Sequence, residues 1–522
     1  MLPEEQTPTV QSLMVIIGQL QEHIRALEEE LSRVKNLPKR PKIRPSVLEK
    51  GKHKDDDASG STSGGSDSSS SGKRPGSKKR KKQLIIHETK VLRPEDIPPG
   101  SRFLGYQDYL VQGLRIFQHN IRYRRARYLT PEGIYLTGSL PEEAQGTHFD
   151  PTLKTYILYQ YHHQRVTQPL ILQQLTEWGF DISSGELSLI ISEENNSFHD
   201  EKDILLPAGL ASSGYLNVDD TGARHAGKNG YCTHVGNERF AYFKSTDSKN
   251  RINFLEILRG RHTDYVINDH ALEYMKAQKL PKGPRELLSQ GEKILADSSQ
   301  WQNHLTALGM IQQRHIRIAT EGTLIGSLVY HGFPPELVIV SDDAGQFDVF
   351  SHALCWIHAE RTLQRILPLT DVHAKAVEWA REQIWQLYED LKSYKQEPSE
   401  TTKYEIGKRF DEIFLAKTEF HTLNLALKRL YKNKDELLLV LKRPDIPLHN
   451  NLSERDIREY VIKRKISGST RSDEGRRSRD TFASLKKTAK KLGISFWDYL
   501  LDRVSLKNQI PPLPQLVANA PP

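Results

Sequence analysis

The chain has 522 residues, 37% hydrophobic and 27% charged, with a net charge of +8 and only two cysteines, Cys232 and Cys355. That length predicts two to four domains. The two cysteines exclude a disulfide framework and a four-cysteine zinc site, and no apolar run reaches membrane-spanning length. The first residues are acidic rather than basic, unlike a leader, so a reducing cytoplasm is the expected compartment. The basic balance fits a polyanionic partner and says nothing about fold.

In chain order, Leu13, Ile17, Leu20, Ile24, Leu27, Leu31 and Val34 alternate at spacings of four and three. That is a heptad seam, so residues 1–36 are expected to form a coiled-coil dimerisation helix. Residues 37–82 collapse into Pro, Ser, Gly, Lys and Asp and cannot bury enough apolar surface to order themselves. They end in "KRPGSKKRKK", whose Lys78, Lys79 and Arg80 are expected to bind phosphates. Residues 83–149 interleave aromatics with Arg122, Arg124, Arg125 and Arg127, a composition suited to contact with a nucleic-acid backbone. Residues 150–210 predict three short helices in a helix-turn-helix-like domain, opened by Asp150 with Pro151, by Thr167, and by Ser183 or Ser184. His162 and His163 are expected to be surface or packing residues rather than metal ligands.

Residues 211–362 carry the chemistry. "GYLNVDDTG" is a strand ending in two aspartates, and "YCTHVGNERFAYFKST" is a hairpin with Gly236-Asn237 as its turn. A helix follows, then an insertion at about 260–335. "PPELVIVSDDAGQF" is a second apolar strand ending in Asp342 and Asp343; a short helical stretch and the strand "HALCWIH" come next. Residues 363–445 form a helical insertion. In 446–522 a helix capped by Asn450 or Asn451 carries Glu454 in its first turn, followed by a basic tail. Acids at the ends of the first and fourth strands and on a late helix match the ribonuclease H-like α/β layout. The expected fold is therefore that core with helical insertions.

Cutting or joining a phosphodiester requires an activated attacking oxygen and stabilised charge on the leaving oxygen. Two divalent ions supply both, and magnesium takes a few carboxylates plus water and phosphate oxygens. Asp219, Asp342 and Glu454 are the expected metal-holding and catalytic residues. Asp220 and Asp343 are alternatives within each pair, and Asp269 in "TDYVINDHALEYM" is a rival for the second position. Arg455, Arg458, Lys463, Arg464 and Lys465 would lie near substrate phosphates, with Arg471, Arg476, Arg477, Arg479, Lys486 and Lys487 extending that surface.

"NVDDTG", "SDDAGQF…LCWIHAERTL" and "NNLSERDIREYVIKRKISGSTRSDEGRRSRDTFASLKKTAKKLGISFWDYL" together resemble the insertion sequence 66 family of bacterial transposases, which carry a DDE triad. The terminal block matches at Asn450, Asn451, Glu454, Arg455, Arg464-Lys465 and Tyr499-Leu500, and the Cys-Trp-x-His block at Cys355, Trp356 and His358. The resemblance implies that Asp219, Asp342 and Glu454 hold two Mg2+ ions, with Mn2+ able to substitute, and that Cys355 and His358 support the site. It further implies a nucleoid-associated enzyme that cleaves and joins DNA at its element's terminal inverted repeats, as a homodimer or higher oligomer. The alternatives are a DNA-binding protein of the same fold that no longer transposes and a nuclease that cuts without joining. Three features depart from the family pattern: residues 84–210 lack cysteine, His449 stands where an aspartate often precedes the paired Asn, and the 260–335 segment is long.

Overall fold

The computed structural model describes residues 86–519 except 95, 105, 107, 108, 113–115, 117 and 142–144. The heptad seam, the linker and Lys78, Lys79 and Arg80 lie outside the described residues. The chain divides into two units, Met1–Tyr109 and Leu110–Pro522. In the first, the described residues form no helix or strand.

The second unit opens on a small antiparallel hairpin, β1 (Arg127–Leu129) and β2 (Tyr135–Thr137). The Arg127 guanidinium stacks 4.1 Å from the Tyr135 ring centre, and both strands are exposed. Four helices follow: α1 (Pro151–Leu158), α2 (Gln168–Glu177), α3 (Ser184–Ser192) and α4 (Asn196–Ala211). The first and third starts carry the expected side-chain caps, while Thr167 stands at the N-cap of α2 without a side-chain cap bond. Asp150 Oδ1 accepts the Leu153 N–H at 2.8 Å, and Ser183 with Glu186 forms a complete capping box. The first helix runs on into a π-turn, Tyr159–His163, and the fourth was not anticipated. His162 packs, as expected, with its ring stacked 3.9 Å from Phe482.

A five-stranded mixed sheet forms the centre, in the order Ala241–Thr246 (β5), Tyr231–Gly236 (β4), Tyr215–Gly222 (β3), Val338–Ser341 (β8), Ser351–Leu354 (β9). β3 (Tyr215–Gly222), β4 (Tyr231–Gly236) and β5 (Ala241–Thr246) are antiparallel neighbours. The turn between β4 and β5 is longer than two residues: Asn237 Oδ1 accepts the N–H groups of Arg239 and Phe240, so residues 237–240 make the bend.

Next come α5 (Arg251–Arg259), β6 (Tyr265–Val266), α6 (Asp269–Ala277), α7 (Lys282–Gln290), β7 (Ile294–Leu295), α8 (Ser298–Ala307) and α9 (Gln313–Tyr330). Within this long segment one local design occurs twice. β6 and β7 pair antiparallel, and each leads through an Asx cap into a helix, Asn268 onto the Ala271 N–H and Asp297 onto the Gln300 N–H. Both helices end on a left-handed residue, Lys279 and Gly309. Buried α9 lies close against this segment: a Cβ on Gly326 would meet the Val266 carbonyl at 2.1 Å and one on Gly322 the Ala271 carbonyl at 2.9 Å. The leucines of α4 and α5 and the Leu216–Val218 face of β3 join this segment in one core.

β8 (Val338–Ser341) then enters beside β3 in parallel, and β9 (Ser351–Leu354) beside β8, also in parallel. No helix separates them; residues 342–350 are an irregular turn, anchored by buried Phe347 edge-on to Phe254. α10 (Trp356–Gln364), α11 (Asp371–Gln396), α12 (Glu400–Phe414), α13 (His421–Lys432) and α14 (Lys434–Leu437) build a second core with Val338 and Val340. α15 (Asn451–Ser467), α16 (Asp473–Lys491), α17 (Phe496–Val504) and α18 (Leu513–Asn519) close the chain. Phe482, Leu485, Tyr499 and Leu500 of these last helices share a third core with α1–α4.

The outer edge of β5 is closed by side chains rather than by another strand. The Ala241, Phe243 and Ser245 N–H groups donate to Thr488 Oγ1 at 3.1 Å, Ser484 Oγ at 2.9 Å and Asp480 Oδ2 at 2.6 Å. The spacings match because four residues of helix advance about 6 Å and two of strand about 6.6 Å. Each such bond contributes about 1 kcal/mol, more for the carboxylate.

Candidate active site

Alternation along β3 puts Asn217, Asp219 and Thr221 on one side of the sheet, and α15 lies along that side. Asn217 Nδ2 donates to Asn450 Oδ1 at 2.9 Å at the start of α15, and Arg464 Nη1 donates to Thr221 Oγ1 at 3.3 Å near its end. Asp219 sits between those two contacts, and Glu454 occupies the first turn of the helix. β8 brings the third acid. Asn217 pairs with Val340, so two residues further along each chain Asp219 comes level with Asp342 just past the end of β8; β3 itself does not end at its two aspartates as expected but runs on beside β4 to Gly222.

The electrostatics reflect this convergence. Burial pushes the Asp219 carboxyl up to about 7, and Asp342, Asp220 and Glu454 raise it further against one hydrogen bond from the Asp220 N–H. Asp220 turns to another side: burial raises it, Lys249 opposes that, and Gln346 Nε2 donates to it at 2.7 Å. Asp343 is occupied elsewhere, paired with Arg429 and accepting from Asn433 at 3.2 Å. Asp269 opens α6 and is not among the acids acting on Asp219.

Cys355 and His358 both reach this neighbourhood. The Asn450 N–H donates to Cys355 Sγ at 3.2 Å, and burial pushes that thiol up to about 11, which makes it an inert structural contact. His358 Nε2 stands 3.4 Å from Glu454 Oε1, which also accepts from Arg361 Nη1 at 3.0 Å. Two residues went unrecognised in the sequence as parts of the site: Arg361, and Asn450 as more than a cap. Asn450 is buried and also donates to the Val218 carbonyl at 2.7 Å, fastening α15 to β3. Its signal was the paired Asn450-Asn451 ahead of Glu454.

The basic residues divide. Arg455, Arg458 and Lys465 are exposed on α15 and Arg464 is half-buried; Arg124 and Arg125 are exposed ahead of β1. Lys463 does not belong to that surface. It is buried, donates to the Tyr161 carbonyl at 2.6 Å, and lies 3.5 Å from the Tyr161 ring centre. Burial and the neighbouring cations Arg479, Lys486 and Arg165 bring its ammonium down to about 7. Arg479, Lys486 and Lys487 are buried as well, the two lysines paired with Glu459. The expected basic surface is therefore thinner than the sequence implies.

Two further groupings, His262 with Asp264 and His331, and Asp348 with His352 and Glu436, bring three ligand atoms within 4.8 Å. Each already contains an ion pair, His331–Asp264 at 2.8 Å and His352–Glu436 at 3.3 Å.

A mixed α/β protein with three converging carboxylates, rimmed by arginines on one helix, is the class this geometry defines. Residues 330–478 match the Transposase IS66 family, a span that holds Asp342, Cys355, His358 and Glu454. The chain is also 46% identical over 318 residues to "Uncharacterized protein y4jO" of Sinorhizobium fredii, an alignment spanning 60% of this chain and 99% of that protein. The chain belongs to the IS66 transposase family. No helix among the described residues is long and apolar enough to cross a membrane.

Proposed function

We propose that the protein is a DNA transposase that cleaves DNA at the terminal inverted repeats of its element and joins the ends to a target, with Asp219, Asp342 and Glu454 as metal-holding catalytic residues. The sheet order β5-β4-β3-β8-β9, three antiparallel strands followed by two parallel ones, supports a ribonuclease H-like core. One observation carries the chemical reading: acids 123 and 112 residues apart in sequence (219 to 342, 342 to 454) come together at Asp219, whose carboxyl is lifted to about 7 by burial first and by Asp342 and Glu454 in addition. A fold gains nothing from such repulsion by itself, and a hard divalent cation relieves it.

The donors fit magnesium, being carboxylate oxygens throughout. Three carboxylates serving two ions about 3.5–4 Å apart need not meet at a single point. When bound, the ions would supply an activated attacking oxygen and stabilise the leaving one. The chain's own groups do the positioning. Asn450 and Cys355 fix the start of α15, and Arg361 and His358 orient Glu454. Exposed Arg455, Arg458 and Lys465 and half-buried Arg464 would hold phosphates on the same helix. Residues 1–36 would supply dimerisation, and Lys78, Lys79, Arg80, Arg124 and Arg125 further phosphate contacts.

The test is strand transfer. Labelled DNA from both flanks of the gene, a target plasmid and magnesium or manganese are incubated with wild type or Glu454→Gln. Joining by wild type alone supports the reading. Cleaved but unjoined ends would replace it with a nuclease, and binding without cleavage in either metal would leave a DNA-binding protein.

A further inference from the structure

Beyond Asp219, the β3–β4 loop has the sequence "GARHAGKNG", residues 222–230. A cavity of about 580 Å³ opens beside it, lined among others by Gly222, Arg224, Asn229, Tyr231, Arg464 and Gly468, and no acid lines it. That volume lies within the range of small-molecule sites.

The loop is built to stay in place. The Ala226 N–H donates to the Thr470 carbonyl at 2.9 Å, and His225 Nδ1 meets Thr470 Oγ1 at 2.9 Å. Ala226 and Gly227 both hold positive φ, 47° and 79°; for alanine this is backbone strain of the kind that clusters at ligand sites. Gly230 cannot carry a side chain, since a Cβ would stand 2.7 Å from the Ala223 carbonyl.

The lining has a definite chemistry. Two guanidiniums offer forked donors for phosphate. Tyr231 offers an aromatic face with the Lys249 ammonium 5.4 Å from the ring centre, and bases stack on such rings whatever their identity. The glycines leave the backbone open to close approach. Gly222 lies three residues beyond Asp219, about 10 Å of strand, and Arg464 ten residues beyond Glu454, about 15 Å of helix.

We propose that this cavity receives an unstacked nucleotide of the DNA strand being processed, its phosphate on Arg224 and Arg464 and its base against Tyr231. The inference rests on the transposase reading, because that reading places the strand among the acids.

The full-length protein, with calcium in place of magnesium, is titrated with duplexes ending in a single-stranded 3′ tail. The fluorescent base 2-aminopurine is moved through the tail one position at a time. One position should change its emission on binding wild type. Asn229→Trp, which fills the cavity from an exposed loop position, and Arg224→Gln should lose that change and bind the tail about tenfold more weakly. Unfolding midpoints should match wild type, and Arg224→Gln should lower the salt slope by about one. No responding position, equal responses in both variants, or an equal response from a fully paired duplex would overturn the proposal. Joining assays on the same proteins separate it from the reading beneath it. A protein that responds at one tail position but joins nothing keeps the cavity and loses the transposase. A protein that joins ends while both variants respond like wild type does the reverse.

Discussion

Glu454 and Asp456 are two residues apart on one helix and sit in opposite electrostatic surroundings. Burial would push Asp456 up, yet His234 at 3.2 Å and Lys491 at 2.6 Å overcome that and hold its carboxyl well below the usual range. Lys487 adds a contact at 3.4 Å. Glu454 pairs with Arg361 at 3.0 Å and stands 3.4 Å from His358, yet it also acts on Asp219, whose carboxyl burial, Asp342 and Glu454 together raise to about 7. Compensated charge of the first kind fastens α15 to β4 and α16. Like charge gathered around a buried carboxyl, as at Asp219, is a cost to the fold, and on the transposase reading a bound cation would relieve it. The difference separates scaffold from site without reference to any relative.

The largest expected effect tests the site half of this contrast. Asp342→Asn and Glu454→Gln should each lower strand joining by at least about a thousandfold, roughly 4 kcal/mol of barrier, while DNA binding in a gel-shift assay stays within about twofold. Equal loss in Asp269→Asn with Asp342→Asn active would reassign the second acid. The scaffold half should fail differently. Asp456→Ala removes the buried carboxylate shared by His234, Lys487 and Lys491 and should cost about 3–5 kcal/mol in denaturant unfolding. Asp219→Asn should instead raise the midpoint of the metal-free protein by a few degrees, since it removes repulsion.

Acidity sharpens the same contrast, with opposite signs. Asp219 is protonated in the fold up to about 7 and in the unfolded chain only to about 3.8. Its contribution therefore declines as pH rises between those values. Magnesium should raise the midpoint fully above about pH 7 and progressively less below it, as protons compete for the same oxygens. Glu459 behaves in reverse. Burial would raise it, but Lys486 and Lys487 bring it down to about 2 from 4.5, so its stabilisation is present above 4.5 and lost as pH falls through about 2. Thermal unfolding across pH, with and without magnesium, reads both. The smallest effect is at Asp343: Asp343→Asn breaks only a surface pair with Arg429 and should cost less than about 1 kcal/mol.

Much of this was legible because strand ends and helix caps write themselves locally. The apolar run before Asp342 and the Asp150 and Ser183 caps produced the elements they predict, and the strand in "GYLNVDDTG" formed but ran past its two aspartates to Gly222. What the sequence concealed was direction. Lys463 reads as part of a basic run, yet it follows Ser453, Ile457 and Tyr460 at helical spacing on the buried face of α15, and that periodicity was the available signal. The 342–350 turn looks helical by composition, but Phe347 pulls it into the core. Asn450 reads as a cap, because nothing local announces a bond to a strand 232 residues away.

The side-chain ladder from α16 onto β5 has a consequence for integrity during synthesis. Until Asp480, Ser484 and Thr488 have emerged and docked, the outer N–H groups of β5 face solvent, and a bare strand edge is a template for pairing with another chain. A chain cut short near residue 472 would keep all three acids and still present that row, so it should precipitate as intermolecular sheet rather than remain a soluble, weakened enzyme. On that outcome, the helix carrying Asp480, Ser484 and Thr488 is what keeps the sheet from pairing with a second chain.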